Sequence, residues 1–212
     1  QYLVDVGMIA SPVTPHSVAS FLRNGIVVGL DKKAVGEYLG TKGKGAQPLK
    51  SPSVWDRDWF HKEVLVEYVS LFHFANATIL DGLRMFLAAF RLPGEAQMID
   101  RILQSFAEEC ASHCEERHGG RLSLFSADAK KSADAAYLLS FSMIMLNTDL
   151  HNANIRADRK MTVDDFVRNN TDYGRDITEE GHALPRDYLE GIYRGLKEEQ
   201  IRTEGEGAAG VM

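Results

Sequence analysis

Residues 138–152 read Leu-Leu-Ser-Phe-Ser-Met-Ile-Met-Leu-Asn-Thr-Asp-Leu-His-Asn, and this stretch indicates how the chain folds. Its apolar side chains recur every three or four residues, as in an α-helix, and they point in nearly every direction around the helix axis. A helix that is apolar on all sides is usually buried among other helices. Its C-terminal end nevertheless carries five polar residues: Asn147, Thr148, Asp149, His151 and Asn152. The pattern therefore predicts a central helix that ends beside an apolar groove with a polar rim.

The same helical spacing continues on both sides of this segment, and no alternating pattern of useful strand length interrupts it. The sequence therefore predicts an all-α fold, with Asp31 and Thr162 as N-terminal helix caps. Helices are expected near residues 17–22, 33–39, 60–72, 78–90, 95–106, 133–151, 162–168 and 185–200. Polar or Gly-rich segments are expected to be loops at 40–59, 119–120, 123–132 and 169–184, and a flexible Gly-rich tail at 203–212.

Residues 90–97, Phe-Arg-Leu-Pro-Gly-Glu-Ala-Gln, form a second distinctive segment. Pro93 and Gly94 predict a tight corner, and Glu95 then falls in the first turn of the next helix. A carboxylate at this position complements the positive end of the helix dipole, which stabilises a helix by about 0.3–1 kcal/mol. A helix-start role therefore accounts for Glu95 when the corner is considered by itself.

Composition limits the kinds of function that the chain can have. The 212 residues carry 30 acidic and 24 basic side chains, a formal charge of −6, which disfavours nucleic-acid binding and unaided binding to an anionic membrane. No apolar run reaches the ~20 residues of a membrane-spanning helix, and the only cysteines are Cys110 and Cys114. These features predict a globular cytosolic domain. Because the chain starts at Gln1, it is expected to be a piece of a longer protein.

Three other interpretations have less support in the sequence. A metal site is one, with the possible ligands Cys110, His113, Cys114 and His118. The two histidines lack a tetrahedral spacing relative to the cysteines, so no metal is expected. Lipid contact by loop lysines is another, through Lys42, Lys44 and Lys50, but the net negative charge favours a solvated loop. No Gly-Lys-Ser/Thr phosphate-binding loop occurs, so the chain is not expected to bind a nucleotide itself.

Taken together and in this order along the chain, segments 90–97 and 138–152 resemble the Sec-seven domain of exchange factors for ARF-family small GTPases. That family carries a Phe-Arg-Leu-Pro-Gly-Glu-Ala-Gln corner followed downstream by an Ile-Met-Leu-Asn-Thr-Asp-Leu-His-Asn helix, and both motifs are unbroken here. The resemblance extends to residues 34–40, 83–84 and 184–189. It implies a right-handed stack, or superhelix, of about ten helices over residues 1–202, with an apolar groove between the two motifs.

The resemblance also implies how such a domain acts. It implies a guanine-nucleotide exchange factor that displaces GDP from an ARF-family GTPase and makes or breaks no covalent bond. Glu95 would be the catalytic finger that enters the nucleotide pocket of the GTPase. A groove would grip the switch regions, lined or braced by Arg91, Asp100, Phe141, Ile144, Met145, Asn147 and Asn152. The domain would need no cofactor of its own, since Mg²⁺ and the guanine nucleotide belong to the GTPase.

Finer features of the resemblance concern the drug brefeldin A, which in this family binds between the domain and GDP-bound ARF. Ser142, Asp149 and Met161 match the sensitive members, whereas Phe141 matches resistant members that carry Phe in place of Tyr. Asp149 and Met161 also favour the large Golgi-type exchange factors. The resemblance thus implies a cytosolic protein that is recruited to Golgi or endosomal membranes.

Two competing functions remain for a chain with these motifs. One is a helical scaffold that binds a GTPase or a partner helix without catalysing anything. Glu95 discriminates between exchange and a scaffold, because exchange needs a carboxylate on the corner and a scaffold does not. The other is hydrolysis by Glu95 together with a histidine, which lacks a second catalytic group at a sensible position.

Overall fold

The computed structural model of the chain describes residues 2–27, 29–42, 57–75, 77–114, 128–177 and 184–202. Within these ranges the regular structure is helical and contains no strand, which confirms the predicted all-α class. The elements are α1 (Tyr2–Asp5), α2 (Pro15–Gly25), α3 (Lys32–Gly40), α4 (Arg57–Ser70), α5 (Ile79–Ala88), α6 (Ala96–His113), α7 (Ala129–His151), a 3₁₀ turn (Ala157–Arg159), α8 (Val163–Ile177) and α9 (Arg186–Glu198).

The described residues fall into two compact units. Unit 1 contains the described residues within 2–73 and 86–105, and unit 2 contains those within 74–85 and 106–202. The corner segment 90–97 therefore belongs to unit 1, and the apolar helix α7 belongs to unit 2. Each motif is placed by the packing of its own unit.

Unit 1 has an aromatic core that adjoins the corner segment. The rings of Tyr68, Phe72, Phe86 and Phe90 pack mostly edge to face, with centroids 5.0–6.5 Å apart. The Arg23 guanidinium of α2 lies 4.2 Å from the centre of the Phe72 ring. Burial raises the pKa of Tyr68 to about 12, and the charge of Arg23 only partly offsets this effect. Because Phe90 is the first residue of the corner segment, the core fixes where that segment begins.

In unit 2 the helices α7, α8 and α9 pack against one another. Each of them contributes buried apolar side chains to the core: Leu139, Met143 and Leu146 of α7, Phe166 and Val167 of α8, and Leu189, Ile192 and Leu196 of α9. The buried positions of α7 and α9 recur at the spacing of one helix face. The packing therefore uses one side of α7 and leaves another side available.

Two helices, α3 and α8, have side-chain caps at their N-termini, at the residues that the sequence predicts. The Asp31 carboxylate accepts hydrogen bonds from the N–H groups of Lys33 and Ala34, at 3.1 and 3.3 Å. Thr162 Oγ1 accepts from the Asp165 N–H, and the Asp165 carboxylate accepts from the Thr162 N–H, both at 3.2 Å. Both predicted caps are confirmed.

Helix α8 is longer than the sequence predicts. It runs to Ile177, through a segment in which the sequence predicts a loop from residue 169 onward. The side chains of Asn170 and Thr171 donate hydrogen bonds to carbonyls one turn earlier, at 2.6 and 2.7 Å. Because these polar groups find partners inside the helix, they do not terminate it.

Helix α7 begins earlier than predicted, at Ala129, inside the expected polar interruption. The Asp128 carboxylate accepts hydrogen bonds from the N–H groups of Lys130 and Lys131, at 2.9 and 3.1 Å. The bonds from Lys131 and Lys130 lower the pKa of Asp128, as expected for a cap that is bound in its charged form. The polar composition here belongs to a helix start rather than to a loop.

Several predictions fall on residues outside the described ranges. These are the Gly-rich tail at 203–212 and parts of the expected loops, namely positions 43–56, 119–120, 123–127 and 178–183. The prediction that the helices stack as a right-handed superhelix stays a prediction. No helix in the described ranges is long and apolar enough to cross a membrane.

Candidate functional site

The corner segment is held within unit 1 by its backbone. The Arg91 N–H donates a hydrogen bond of 3.1 Å to the Lys32 carbonyl in α3. Pro93 is buried and Gly94 is exposed, so the chain turns from the interior to the surface at this pair. The side chains of Arg91 and Asp100, both predicted groove residues, are exposed.

Glu95 precedes the first residue of α6, and its side chain is exposed. Its carbonyl accepts hydrogen bonds from the N–H groups of Met98 and Ile99, at 3.0 and 3.1 Å, so its backbone is part of the first turn. Among the residues that the structure describes, no hydrogen bond or ion pair involves the Glu95 carboxylate. The corner thus presents an exposed carboxylate, without a partner in the described ranges, on a restrained backbone. This placement fits contact with a partner, and it equally fits a dipole contribution of about 0.3–1 kcal/mol.

One face of α7 exposes large apolar side chains. Leu138, Phe141 and Met145 are 39%, 46% and 55% exposed, whereas Met143 is fully buried. Their spacing of three and four residues places the exposed side chains on one side of the helix. Ile144 lies at the edge of this stripe and is half-buried. The prediction that Phe141, Ile144 and Met145 are at least partly exposed is confirmed, and an apolar stripe of this kind commonly marks a partner site.

Leu138 is a candidate binding residue that is not among the groove residues predicted from the sequence. Its exposed side chain extends the stripe by almost one turn toward the N-terminus of α7. The signal was present in the sequence, because Leu138, Phe141 and Met145 share one side of the helical projection. The stripe of α7 is therefore defined as Leu138, Phe141 and Met145, with Ile144 at its edge.

The polar residues that end α7 mainly fasten unit 2. The Asn147 amide is buried and exchanges two hydrogen bonds with the Ile201 backbone, accepting from its N–H at 2.8 Å and donating to its carbonyl at 3.4 Å. His151 Nε2 lies 2.7 Å from the Leu196 carbonyl, which requires the proton on Nε2. Asn147 therefore braces the chain after α9 and does not present its amide to solvent.

The remaining polar residues at this end also bond internally. The Thr148 hydroxyl donates to the Ile144 carbonyl at 2.9 Å. The Asn152 side-chain oxygen accepts from the Asn154 N–H at 2.9 Å, which shapes the turn that follows α7. The large exposed apolar side chains of α7 are therefore those of the stripe, separate from this polar end of the helix.

Two of the drug-site candidates are in direct contact. The Asp149 carboxylate accepts a hydrogen bond of 2.6 Å from the Met161 N–H, and the Tyr193 hydroxyl donates one of 2.9 Å to the Met161 carbonyl. Burial and then the negative charges of Asp149 and Asp165 raise the pKa of Tyr193. The other candidates lie on α7, where Phe141 is exposed and Ser142 is half-buried. Asp149 thus orders the backbone at Met161.

The possible metal ligands in the described ranges differ in their exposure to solvent. Cys110 and Cys114 are buried and are not joined in a disulfide, and His113 is exposed. His118 lies outside the described residues. Across the ranges that the structure describes, no three His, Cys, Asp or Glu side chains are grouped so that they could hold a metal ion.

The helical chain that carries these surfaces matches one family over nearly its whole length. The family model described as Sec7 domain covers residues 1–201. The chain belongs to the Sec7 domain family. Both motifs that carried the sequence resemblance lie inside the matched range.

Several relatives of this Sec7 domain are longer proteins. The Arabidopsis thaliana protein "ARF guanine-nucleotide exchange factor GNOM" is 36% identical over 210 residues, which are 99% of this chain and 12% of that protein. "Cytohesin-3" of Homo sapiens is 37% identical over 202 residues, which are 95% of this chain and 41% of the relative. "Brefeldin A-inhibited guanine nucleotide-exchange protein 2" of Arabidopsis thaliana is 35% identical over 204 residues, 96% of this chain and 9% of the relative. The chain spans less than half the length of each of these relatives.

Solved Sec7 domain structures agree with the fold. The "Crystal structure of Sec7p catalytic domain" has a TM-score of 0.70 and 35% identity, and the match covers 94% of this chain and 86% of that one. The "Structure of ARF1-GDP bound to Sec7 domain complexed with Brefeldin A" has a TM-score of 0.68 and 29% identity, covering 94% of this chain and 83% of that one.

Proposed function

We propose that this Sec7 domain is a guanine-nucleotide exchange factor for ARF-family small GTPases and that Glu95 is its catalytic finger. The observation that carries the proposal is the exposed Glu95 carboxylate, unpaired among the described residues, within a corner whose sequence matches the family motif. The relative GNOM of Arabidopsis thaliana is named as an ARF guanine-nucleotide exchange factor, and a structurally similar Sec7 domain is bound to ARF1-GDP. The chain itself makes and breaks no covalent bond and needs no cofactor.

Electrostatics supply the catalytic effect of such a carboxylate. A small GTPase holds GDP through a phosphate-binding loop, a lysine and Mg²⁺. A carboxylate brought into that pocket competes for the lysine, crowds the metal ion and repels the β-phosphate. One unit charge at about 4 Å and an effective dielectric constant near 20 changes the energy by about 4 kcal/mol. This amounts to about three powers of ten in nucleotide affinity.

The stripe of α7 supplies binding energy in the same proposal. Phe141 and Met145 would pack against the switch regions of the GTPase, because large apolar and aromatic side chains contribute most at protein interfaces. Arg91 and Asp100 are proposed to flank the finger, and Asn147 and Asn152 to act through the backbone that they brace. A scaffold without catalysis remains the alternative, and it would use the stripe but not Glu95.

GDP release measures the proposed activity directly. Truncated ARF-type GTPases loaded with fluorescent GDP are mixed with substoichiometric amounts of the chain and excess unlabelled GTP. We expect accelerated, multiple-turnover release from at least one of them and none from a Ras-type GTPase. Stable binding to the ARF-type proteins without any acceleration would favour the scaffold, and absence of both would overturn the proposal.

Brefeldin A should inhibit this exchange to a weak or intermediate degree, and Phe141→Tyr should increase the inhibition. The added hydroxyl supplies a hydrogen-bonding group at a candidate drug position, and one net hydrogen bond is worth about 0.5–1.5 kcal/mol. The half-inhibitory concentration is therefore expected to fall by about two- to tenfold. Dose–response curves of GDP release for the parent and the variant provide the measurement.

A second variant controls for the added hydroxyl. Phe60→Tyr adds the same group to α4 in unit 1, where it should leave inhibition unchanged. Equal inhibition of the parent and Phe141→Tyr would contradict the assignment of Phe141 to the drug site.

The location of the protein follows from its partner in this proposal. The described part of the chain offers no membrane-spanning helix, and the formal charge of −6 disfavours an anionic bilayer. A cytosolic protein brought to Golgi or endosomal membranes by other parts of the molecule, or by the lipid-anchored GTPase, fits these features. The domain alone is not expected to bind anionic vesicles.

A further inference from the structure

Helix α3 lies directly against the backbone of the corner segment within unit 1. A Cβ atom on Gly36 would stand 1.8 Å from the Arg91 carbonyl oxygen and 3.2 Å from the Phe90 ring. A Cβ atom on Gly40 would stand 2.6 Å from the Met98 Cβ. The two glycines are four residues apart and therefore share one face of the helix. Only glycine fits at these two positions, because the Arg91 backbone lies where a Gly36 side chain would be and the base of the Met98 side chain lies where a Gly40 side chain would be.

Hydrogen bonds join α3 to both sides of the corner. On the near side, the Arg91 N–H donates to the Lys32 carbonyl at 3.1 Å, and Lys32 Nζ donates to the Ala88 carbonyl at 3.0 Å. On the far side, the Arg101 guanidinium donates two hydrogen bonds to the Gly40 carbonyl, one of them 3.0 Å long. The chain is thus held before and after Glu95.

We propose that the glycine face of α3, with Lys32 and Arg101, positions the catalytic finger, an inference that rests on the proposed function. Arg91 precedes Glu95 by four residues and Met98 follows it by three, and both abut α3. The Glu95 side chain has no hydrogen bond of its own among the described residues, so its position is inherited from this backbone. A misplacement of about 1 Å can cost about 100-fold in the rate of a catalysed step.

Ordinary packing is the competing explanation, and the two roles differ in what they change. If α3 only stabilised unit 1, a substitution would lower the amount of folded protein while each folded molecule kept its full activity. If α3 positions the finger, the folded molecules themselves exchange nucleotide slowly. The apolar stripe lies in unit 2 and is not altered, so apparent affinity for the GTPase should persist.

Gly36→Ala tests the glycine face. Carbon–oxygen contacts need about 3.3 Å, so the new methyl group forces the corner or the helix to move by more than about 1 Å. We expect the exchange rate at saturating GTPase to fall by about 10- to 100-fold, with KM changed by less than about threefold. Gly191→Ala is the matched control, since the space around that position in α9 is open and a helical alanine is favoured there.

Lys32→Met provides a second test should Gly36→Ala fold poorly. It removes the exposed bond to the Ala88 carbonyl and leaves the helix intact. Lys33→Met makes the same chemical change one residue away, where the lysine forms an exposed ion pair of 3.8 Å with Glu37 of its own helix. We expect the turnover rate to fall several-fold for Lys32→Met and to stay at the parental value for Lys33→Met.

The outcomes separate this inference from the proposed function. If the parent chain exchanged nucleotide, and folded Gly36→Ala and Lys32→Met did so at the parental rate, the positioning role would be overturned. The proposed exchange activity would then be unaffected. A parent chain without exchange activity would instead remove the proposed function itself. Rates are normalised to the folded fraction, which circular dichroism and thermal melting give for each variant.

Discussion

Replacing Glu95 with lysine is expected to reduce the exchange rate by at least about 100-fold while the chain still binds the GDP-loaded GTPase. The lysine cannot compete for the phosphate-loop lysine of the GTPase, and its positive charge attracts the phosphates that the carboxylate repels. The stripe of α7 is unchanged, so a stalled complex that retains GDP should accumulate. GDP-release kinetics measure the rate, and size-exclusion chromatography or calorimetry measures the complex.

Folding gives the control for this charge reversal. Glu95 is exposed and unpaired among the described residues, so the variant should lose only about 0.3–1 kcal/mol of dipole compensation. Glu108→Lys makes the same change at an exposed position later in α6, and it should exchange nucleotide at the parental rate. Near-parental exchange by Glu95→Lys would reduce Glu95 to a helix-start residue, and the scaffold hypothesis would then be preferred.

Local chemistry is the part of the fold that the sequence predicts well. Asp31 and Thr162 are predictable as caps because a cap needs only a short polar side chain and the N–H groups two or three residues later. The stripe of α7 was also predictable, since helical periodicity places Phe141 and Met145 on one side. The corner at Pro93 and Gly94 follows from the conformations of these two residue types.

Partners that are distant in sequence are the part that could not be predicted. Asn147 looks like a surface amide beside a groove, but its hydrogen bonds go to Ile201, 54 residues away. In the sequence Gly36 resembles an ordinary helical glycine, because the Arg91 carbonyl that packs against it is 55 residues away in the chain. The end of α8 is not predictable for a local reason, because an asparagine such as Asn170 can bond to the backbone within a helix as well as terminate the helix.

Met145→Ala is expected to weaken binding of the GTPase by about tenfold, or about 1.4 kcal/mol, with almost no change in melting temperature. Met145 is 55% exposed, so truncating it removes little buried surface from the free protein. In the complex the same side chain would be covered, and the loss of its contacts would appear as a higher Kd and KM. Titration of the GDP-bound GTPase and a thermal melt of the free chain provide the two measurements.

Met143→Ala is the matched comparison, because Met143 lies two residues earlier on the same helix and is fully buried. Truncating a buried methionine costs about 2–5 kcal/mol of folding free energy, which lowers the melting temperature of a chain of this size by several degrees. Its folded fraction should bind the GTPase with nearly parental affinity, since it does not belong to the exposed stripe. The two neighbouring methionines should thus separate binding from stability. If Met145→Ala instead lost stability and kept its affinity, that side chain would be part of the core, and the stripe of α7 could not be the surface that holds the GTPase.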